Sequence, residues 1–170
     1  MKKGFTLLEV IVAVGVLLMA VSASAGLVLD SLQSVNRAQN RVIAAYLAQE
    51  AIEVTRNIRD TNWIEGVGFS DGLNPGASDQ CVDYDAPGDT LVNPCSNHAL
   101  YWDRTPGVYT HDSGGNNELT IFERRINVQS INNPETPIGV DDILQVQATV
   151  SWLGPDSGSI TVETRLYDWR

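Results

Sequence analysis

The chain has few of the residues on which chemistry usually rests. Two cysteines and two histidines occur in 170 residues, and 11 Lys and Arg face 21 Asp and Glu. The formal net charge of −10 makes a surface that repels nucleic-acid phosphate and anionic lipid, so DNA binding through a basic stripe is not expected. A phosphate-cradling loop is lacking too, because Gly66-Val67-Gly68 has neither the lysine nor a preceding strand. His98 and His111 are not read as metal ligands, so a zinc site is not expected. Proline is absent before Pro75, which removes the usual helix breaker from everything upstream. These absences leave no enzyme visible and imply no cofactor.

Charge is scarcest at the amino terminus. Lys2 and Lys3 lead directly to Gly4, and an apolar run continues from Phe5 to Leu29 with Glu9 as its one charged residue. At about 1.5 Å per residue such a helix covers roughly 37 Å, enough to cross a hydrocarbon layer of about 30 Å. The lysines should remain on the cytoplasmic side. A carboxylate inside such a segment is costly in lipid and needs a partner.

Lys2-Lys3-Gly4-Phe5-Thr6-Leu7-Leu8-Glu9-Val10 resembles the class III signal peptide of type IV pilins and pseudopilins: a basic leader, a glycine, a phenylalanine, and a glutamate at the fifth position after the glycine. The resemblance implies that a prepilin peptidase cuts after Gly4 and that the new terminal residue, Phe5, is N-methylated. It also implies that Glu9 docks a subunit against its neighbour. The physical logic agrees, since cleavage leaves a cation at Phe5 that Glu9 of another helix can neutralise in a low-dielectric seam. Two other readings stand beside it. An ordinary signal peptide would exit at Ala23-Ser24-Ala25, before Gly26, and an uncleaved segment would be a plain anchor.

From Asp30 the composition becomes amphipathic. Leu32, Val35, Val42, Ile43, Tyr46, Leu47, Ala51, Val54 and Ile58 recur at three- and four-residue steps, predicting one apolar face. The spacing predicts a nearly continuous helix from about Thr6 to Asp60, on the order of 80 Å long. Gly15 and Gly26 are its weak points, read as small residues for close helix packing. The Ala48-Gln49-Glu50 segment running into Arg56-Asn57-Ile58-Arg59-Asp60-Thr61-Asn62-Trp63 is similar to the end of the long helix in minor pilin-like proteins. Trp63, placed just past the helix end, is expected to pin the helix to a sheet.

Trp63 to Asn117 reads as a long polar connection with short strands near Ala99–Trp102 and Gly107–Thr110. Cys81 and Cys95 follow the membrane segment and read as one disulfide, worth on the order of 3 kcal/mol. Asp79, Asp83, Asp85 and Asp89 cluster in that loop, and some pseudopilins bind calcium through acidic loops. The spacing departs from the EF-hand pattern, so solvated turn acids are the plainer reading. His111-Asp112-Ser113-Gly114-Gly115 resembles the nucleophile segment of chymotrypsin-like serine proteases, but histidine stands where that family has glycine and the chain is too short for two barrels. Period-two alternation then predicts strands at Glu118–Ile131, Ile143–Trp152 and Ser159–Trp169, the last two joined through Leu153-Gly154-Pro155-Asp156-Ser157-Gly158.

A long amino-terminal helix with a carboxy-terminal antiparallel sheet is an α+β, pilin-like architecture. The expected organisation is a leader at 1–4, a transmembrane or filament-core helix half at 5–29, an amphipathic half at 30–62, and an extracytoplasmic head at 63–170. The expected role is structural: a subunit held in the cytoplasmic membrane by a single pass, later part of an extracellular filament. Its expected partners are other pilin subunits, the prepilin peptidase and the membrane. The competing reading is a secreted or anchored binding module that uses Trp63–Asn117 as its recognition surface.

Overall fold

The computed structural model describes residues 4, 6–77, 79–84, 91–92, 94–131 and 143–168. Lys2 and Lys3 of the leader, Phe5 at the expected cleavage point, Asp85 and Asp89 of the acidic loop, and Trp169 lie outside the described residues. The chain divides into two compact units, Met1–Gln39 and Asn40–Arg170.

In the first unit, helix α1 (Leu7–Glu65) begins behind a cap. Thr6 Oγ1 accepts the Glu9 backbone N–H at 3.3 Å, and the Thr6 carbonyl accepts that of Val10 at 3.3 Å. Thr6-x-x-Glu9 is the capping-box spacing, and Glu9 sits in the first turn, where an acid suits the helix dipole. From Leu7 to Gln39 every residue is exposed except half-buried Gly15. Ser22 and Ser24 fold their hydroxyls onto the carbonyls of Leu18 and Ala20, both at 2.8 Å, so neither polar group is left open inside an apolar run. By length and composition this helix can cross a membrane, with a mean hydropathy of 2.4 over its most apolar stretch.

In the second unit, the rest of α1 lies against the sheet. Its buried stripe is Ala44, Ala48, Ala51, Thr55, Ile58 and Asn62, at alternating four- and three-residue steps, flanked by Leu47 and Ile52. The apolar face expected from sequence is therefore rotated and shortened: Leu32, Val35, Val42 and Tyr46 are exposed, and burial starts at Ala44. Ala44, Ala48 and Ala51 share the buried face with Leu47, Ile52 and Ile58. The helix also runs five residues beyond Asp60, to Glu65. Gly66, at φ 72°, supplies the left-handed turn, and Val67 N–H closes onto the Asn62 carbonyl at 3.0 Å, a Schellman end. Trp63 thus lies inside the last turn, half-buried against the core, with the Arg59 guanidinium 4.5 Å from its ring centre.

The sheet contains β1 (Ala99–Asp103), β2 (Val108–Thr110), β3 (Glu118–Ser130), β4 (Ile143–Trp152) and β5 (Gly158–Tyr167). Its order is β2-β1-β3-β4-β5, with every pair antiparallel. Every second residue of β4, from Leu144 to Trp152, is buried, as are Phe122, Arg124, Ile126 and Val128 of β3. These meet the α1 stripe in one core together with Leu73, Val82, Leu91, Leu100 and Leu166. The layout is α+β and pilin-like, as the sequence predicts.

Where β1 stops, Gly76 and Gln80 take over its place beside β3. Gly76 N–H bonds to the Val128 carbonyl at 2.8 Å, and Gln80 exchanges both backbone bonds with Ile126 at 3.2 and 2.9 Å. The pairing of Gln80 brings residues 79–83 to Arg124 of β3.

Candidate functional site

At the amino terminus, Gly4 is exposed and precedes the first helical turn. Glu9 is also exposed on that turn, with its backbone N–H on Thr6. A carboxylate exposed on a capped first turn is open to meet another group.

The head holds a different feature, a buried ionic cluster centred on Arg124. Alternation along β3 turns Arg124 inward with Phe122 and Ile126, and it is fully buried. One terminal nitrogen of its guanidinium donates to Glu50 Oε1 at 2.8 Å, and the other to the Val82 carbonyl at 2.6 Å. Asp83 Oδ1 lies 3.4 Å away, and Asp83 in turn accepts from the Thr110 hydroxyl and the His111 backbone N–H. His111 Nδ1 is 2.7 Å from Asp83 Oδ1. Burial alone would push the Asp83 carboxyl up; hydrogen bonds and charge from His111, with Arg124 behind them, outweigh it and hold the group below its ordinary value of 3.8. The cluster ties α1, the 79–83 run, β2 and β3 together. It acts as a structural clamp.

Beside it, a groove of about 460 Å³ opens between the cystine loop and the β2–β3 turn, with Asp83, Tyr84, Asn97, Asp103, His111 and Asp112 among its lining residues.

Residues 1–25 match the family model of the prokaryotic N-terminal methylation motif. The amino terminus is a class III signal peptide of the type IV pilin and pseudopilin kind. No curated protein and no solved structure matches the chain.

The motif match supports a type IV pilin-like precursor and points to a structural subunit. It implies processing by a prepilin peptidase and assembly with other pilin subunits, and with the apolar helix it fits membrane anchoring before assembly into surface filaments. The head bears out the Cys81–Cys95 disulfide, whose Cα atoms are 5.4 Å apart. Of the acidic loop, Asp83 turns inward to His111 and Arg124, while Asp79 pairs with His98 Nε2 at 2.9 Å. Both described members of the calcium reading already have side-chain partners within the head. His111-Asp112-Ser113-Gly114-Gly115 is the turn between β2 and β3: Asp112 Oδ1 accepts Gly114 N–H at 2.8 Å, and Gly115 sits at φ 65°. Sequence reasoning missed Arg124. The signal was there, an arginine in phase with Phe122, Ile126 and Val128, but nothing local marked Glu50 and Asp83 as its partners. It also missed His98, which Cys95 precedes by three residues and whose ring lies beside both sulfurs.

Proposed function

We propose that the chain is a minor pilin or pseudopilin, a subunit of a type IV pilus-like filament assembled through its amino-terminal helix. One observation carries this reading: the methylation-motif match over residues 1–25 runs straight into a capped apolar helix with Glu9 in its first turn. In it, Lys2 and Lys3 hold the leader at the cytoplasmic face, the peptidase cuts between Gly4 and Phe5, and the Phe5 amine is methylated. The mature chain then has its helix half from 5 to 29 in lipid and later in the filament core. The amphipathic half from 30 to 62 and the head from 63 to 170 stand outside the cytoplasm. Packing buries exposed apolar residues such as Leu7, Leu17 and Leu27 against neighbouring helices. Glu9 pairs with the Phe5 amine of another subunit. The decisive measurement is the mass of the mature amino terminus from the native host. A chain starting at Phe5 with one added methyl group supports the reading; one starting at Gly26 overturns it.

Glu9→Ala tests the docking role separately. The variant is expected to accumulate in the membrane at normal levels yet be missing from sheared filaments, by immunoblot of the two fractions. Normal incorporation would remove docking from Glu9.

The groove beside the cystine loop favours a second role within the same subunit, a binding head displayed by the filament. It falls inside Trp63–Asn117, the recognition surface expected for a binding module.

A further inference from the structure

The strongest unassigned cluster of ligating groups lies at the cystine, away from the signal peptide. Both cysteine sulfurs and a ring nitrogen of His98 lie within 4.8 Å of one another. Cys81 and Cys95 are buried, and the His98 side chain is only 14% exposed. His98 Nε2 faces Asp79 Oδ1 at 2.9 Å, whereas Nδ1 is buried without a hydrogen-bond partner. With Nε2–H donating to the carboxylate, Nδ1 carries a lone pair, and a buried acceptor left unpaired is costly. A histidine fixed by a carboxylate on one nitrogen and open on the other has the form of a metal ligand.

The backbone holds these groups in place by bonds that do not pass through sulfur. Cys81 exchanges both its backbone bonds with Val92, at 3.1 and 3.0 Å. Cys95 N–H donates to the Asp79 carbonyl at 2.9 Å, and Arg124 N–H donates to the His98 carbonyl at 2.9 Å. These bonds anchor the ligand set to β3 and to itself without using the disulfide.

We propose that reduction of the Cys81–Cys95 bond turns this corner into a binding site for a thiophilic divalent cation of the zinc class. The ligands are Cys81 Sγ, Cys95 Sγ and His98 Nδ1, water takes the fourth place, and Asp79 is the positioning residue. The chemistry balances with a dithiol as co-reactant. It gives two electrons and two protons, leaves as its own disulfide, and Cys81 and Cys95 become thiols. Cation binding then releases those two protons. In reverse, a disulfide oxidant takes the two electrons with two protons from water and leaves as a dithiol, and the cation departs as the Cys81–Cys95 bond forms. The dithiol is also the form in which the chain is synthesised, so the cation holds Cys81 beside Cys95 until oxidation. This site is independent of the filament reading.

The test uses the full chain in detergent micelles, reduced with a phosphine and titrated with Co²⁺ as the probe. The reduced chain is expected to take up one Co²⁺ with thiolate charge-transfer absorption and tetrahedral visible bands, both abolished by Zn²⁺; the oxidised chain shows neither. His98→Gln, which leaves both sulfurs and the disulfide in place, is expected to weaken binding by tenfold or more, and Asp79→Asn by about tenfold. Unchanged affinity in His98→Gln would mean capture by an unstructured dithiol and overturns the proposal. So does a reduced chain that binds no Co²⁺, or one that has lost its near-ultraviolet circular dichroism with and without the metal.

Discussion

Arg124 carries two carboxylates into the head, and its energetics follow from what it would leave behind. Its guanidinium is wholly out of water and faces Glu50 and Asp83. Such a cluster adds little over an apolar core of the same shape, but removing one member strands the others. Arg124→Ala is expected to cost about 3–5 kcal/mol, read as a lower urea midpoint with an unchanged slope. Asp83 adds a pH term. Its carboxyl is held below 3.8, so the stability it supplies is fully present above that value and is lost as pH falls through the folded-state value. The head's unfolding midpoint should therefore drop on acidification below 3.8, and Asp83→Asn should flatten that part of the profile. An identical pH profile in the variant would remove Asp83 as the titrating group.

At the scale of elements, β4 and β5 show how closely a hairpin is fitted. Trp152 closes the buried face of β4 and sends its indole N–H to the Asp156 carbonyl at 2.7 Å, across the turn. Gly158 lies opposite Trp152, and a Cβ there would meet the ring at 2.5 Å. Because the ring is wedged by its own hydrogen bond, it has little room to move. Gly158→Ala is expected to destabilise by about 1–3 kcal/mol, measured by thermal unfolding. These strands were also the most legible part of the sequence. Ten residues of unbroken alternation locate β4 at Ile143–Trp152, because a one-residue slip would turn its whole apolar set outward. The helix was less legible at its ends. Arg59-Asp60-Thr61-Asn62 is polar enough to look like a stop, yet Asn62 is buried and donates to the Asp71 carbonyl at 2.8 Å, so its polarity serves the interior. Tyr46 and Val42 mislead for the opposite reason, since they are apolar but exposed. An apolar residue on a helix announces only that something covers it, and not whether its own chain does. The signal peptide was legible because a motif of nine residues carries it. The ionic cluster and the cystine–histidine corner were not, because their members come from separate segments that only the fold brings together.

For the molecule as a whole, the two units place opposite demands on their surroundings. Up to Gln39 the chain exposes nearly all of a strongly apolar helix, whereas from Asn40 onward it encloses a core of its own. A contiguous apolar surface of that extent is not sustained in water and requires lipid, detergent or other helices. The second unit needs none of these. Its helical stripe from Ala44, its five strands, the Arg124 cluster and the disulfide all fall at or after Asn40. A chain beginning at Asn40 is therefore expected to be soluble without detergent, to unfold in one cooperative step, and to keep the near-ultraviolet signal of Trp63 and Trp152. Fraying of the new helix start should spare the core, because the first buried side chain, Ala44, lies a full turn inside. Size-exclusion chromatography with urea unfolding checks this. A soluble but non-cooperative product would mean that the helix before Asn40 helps to form the core, and the division of labour between the two units would have to be abandoned.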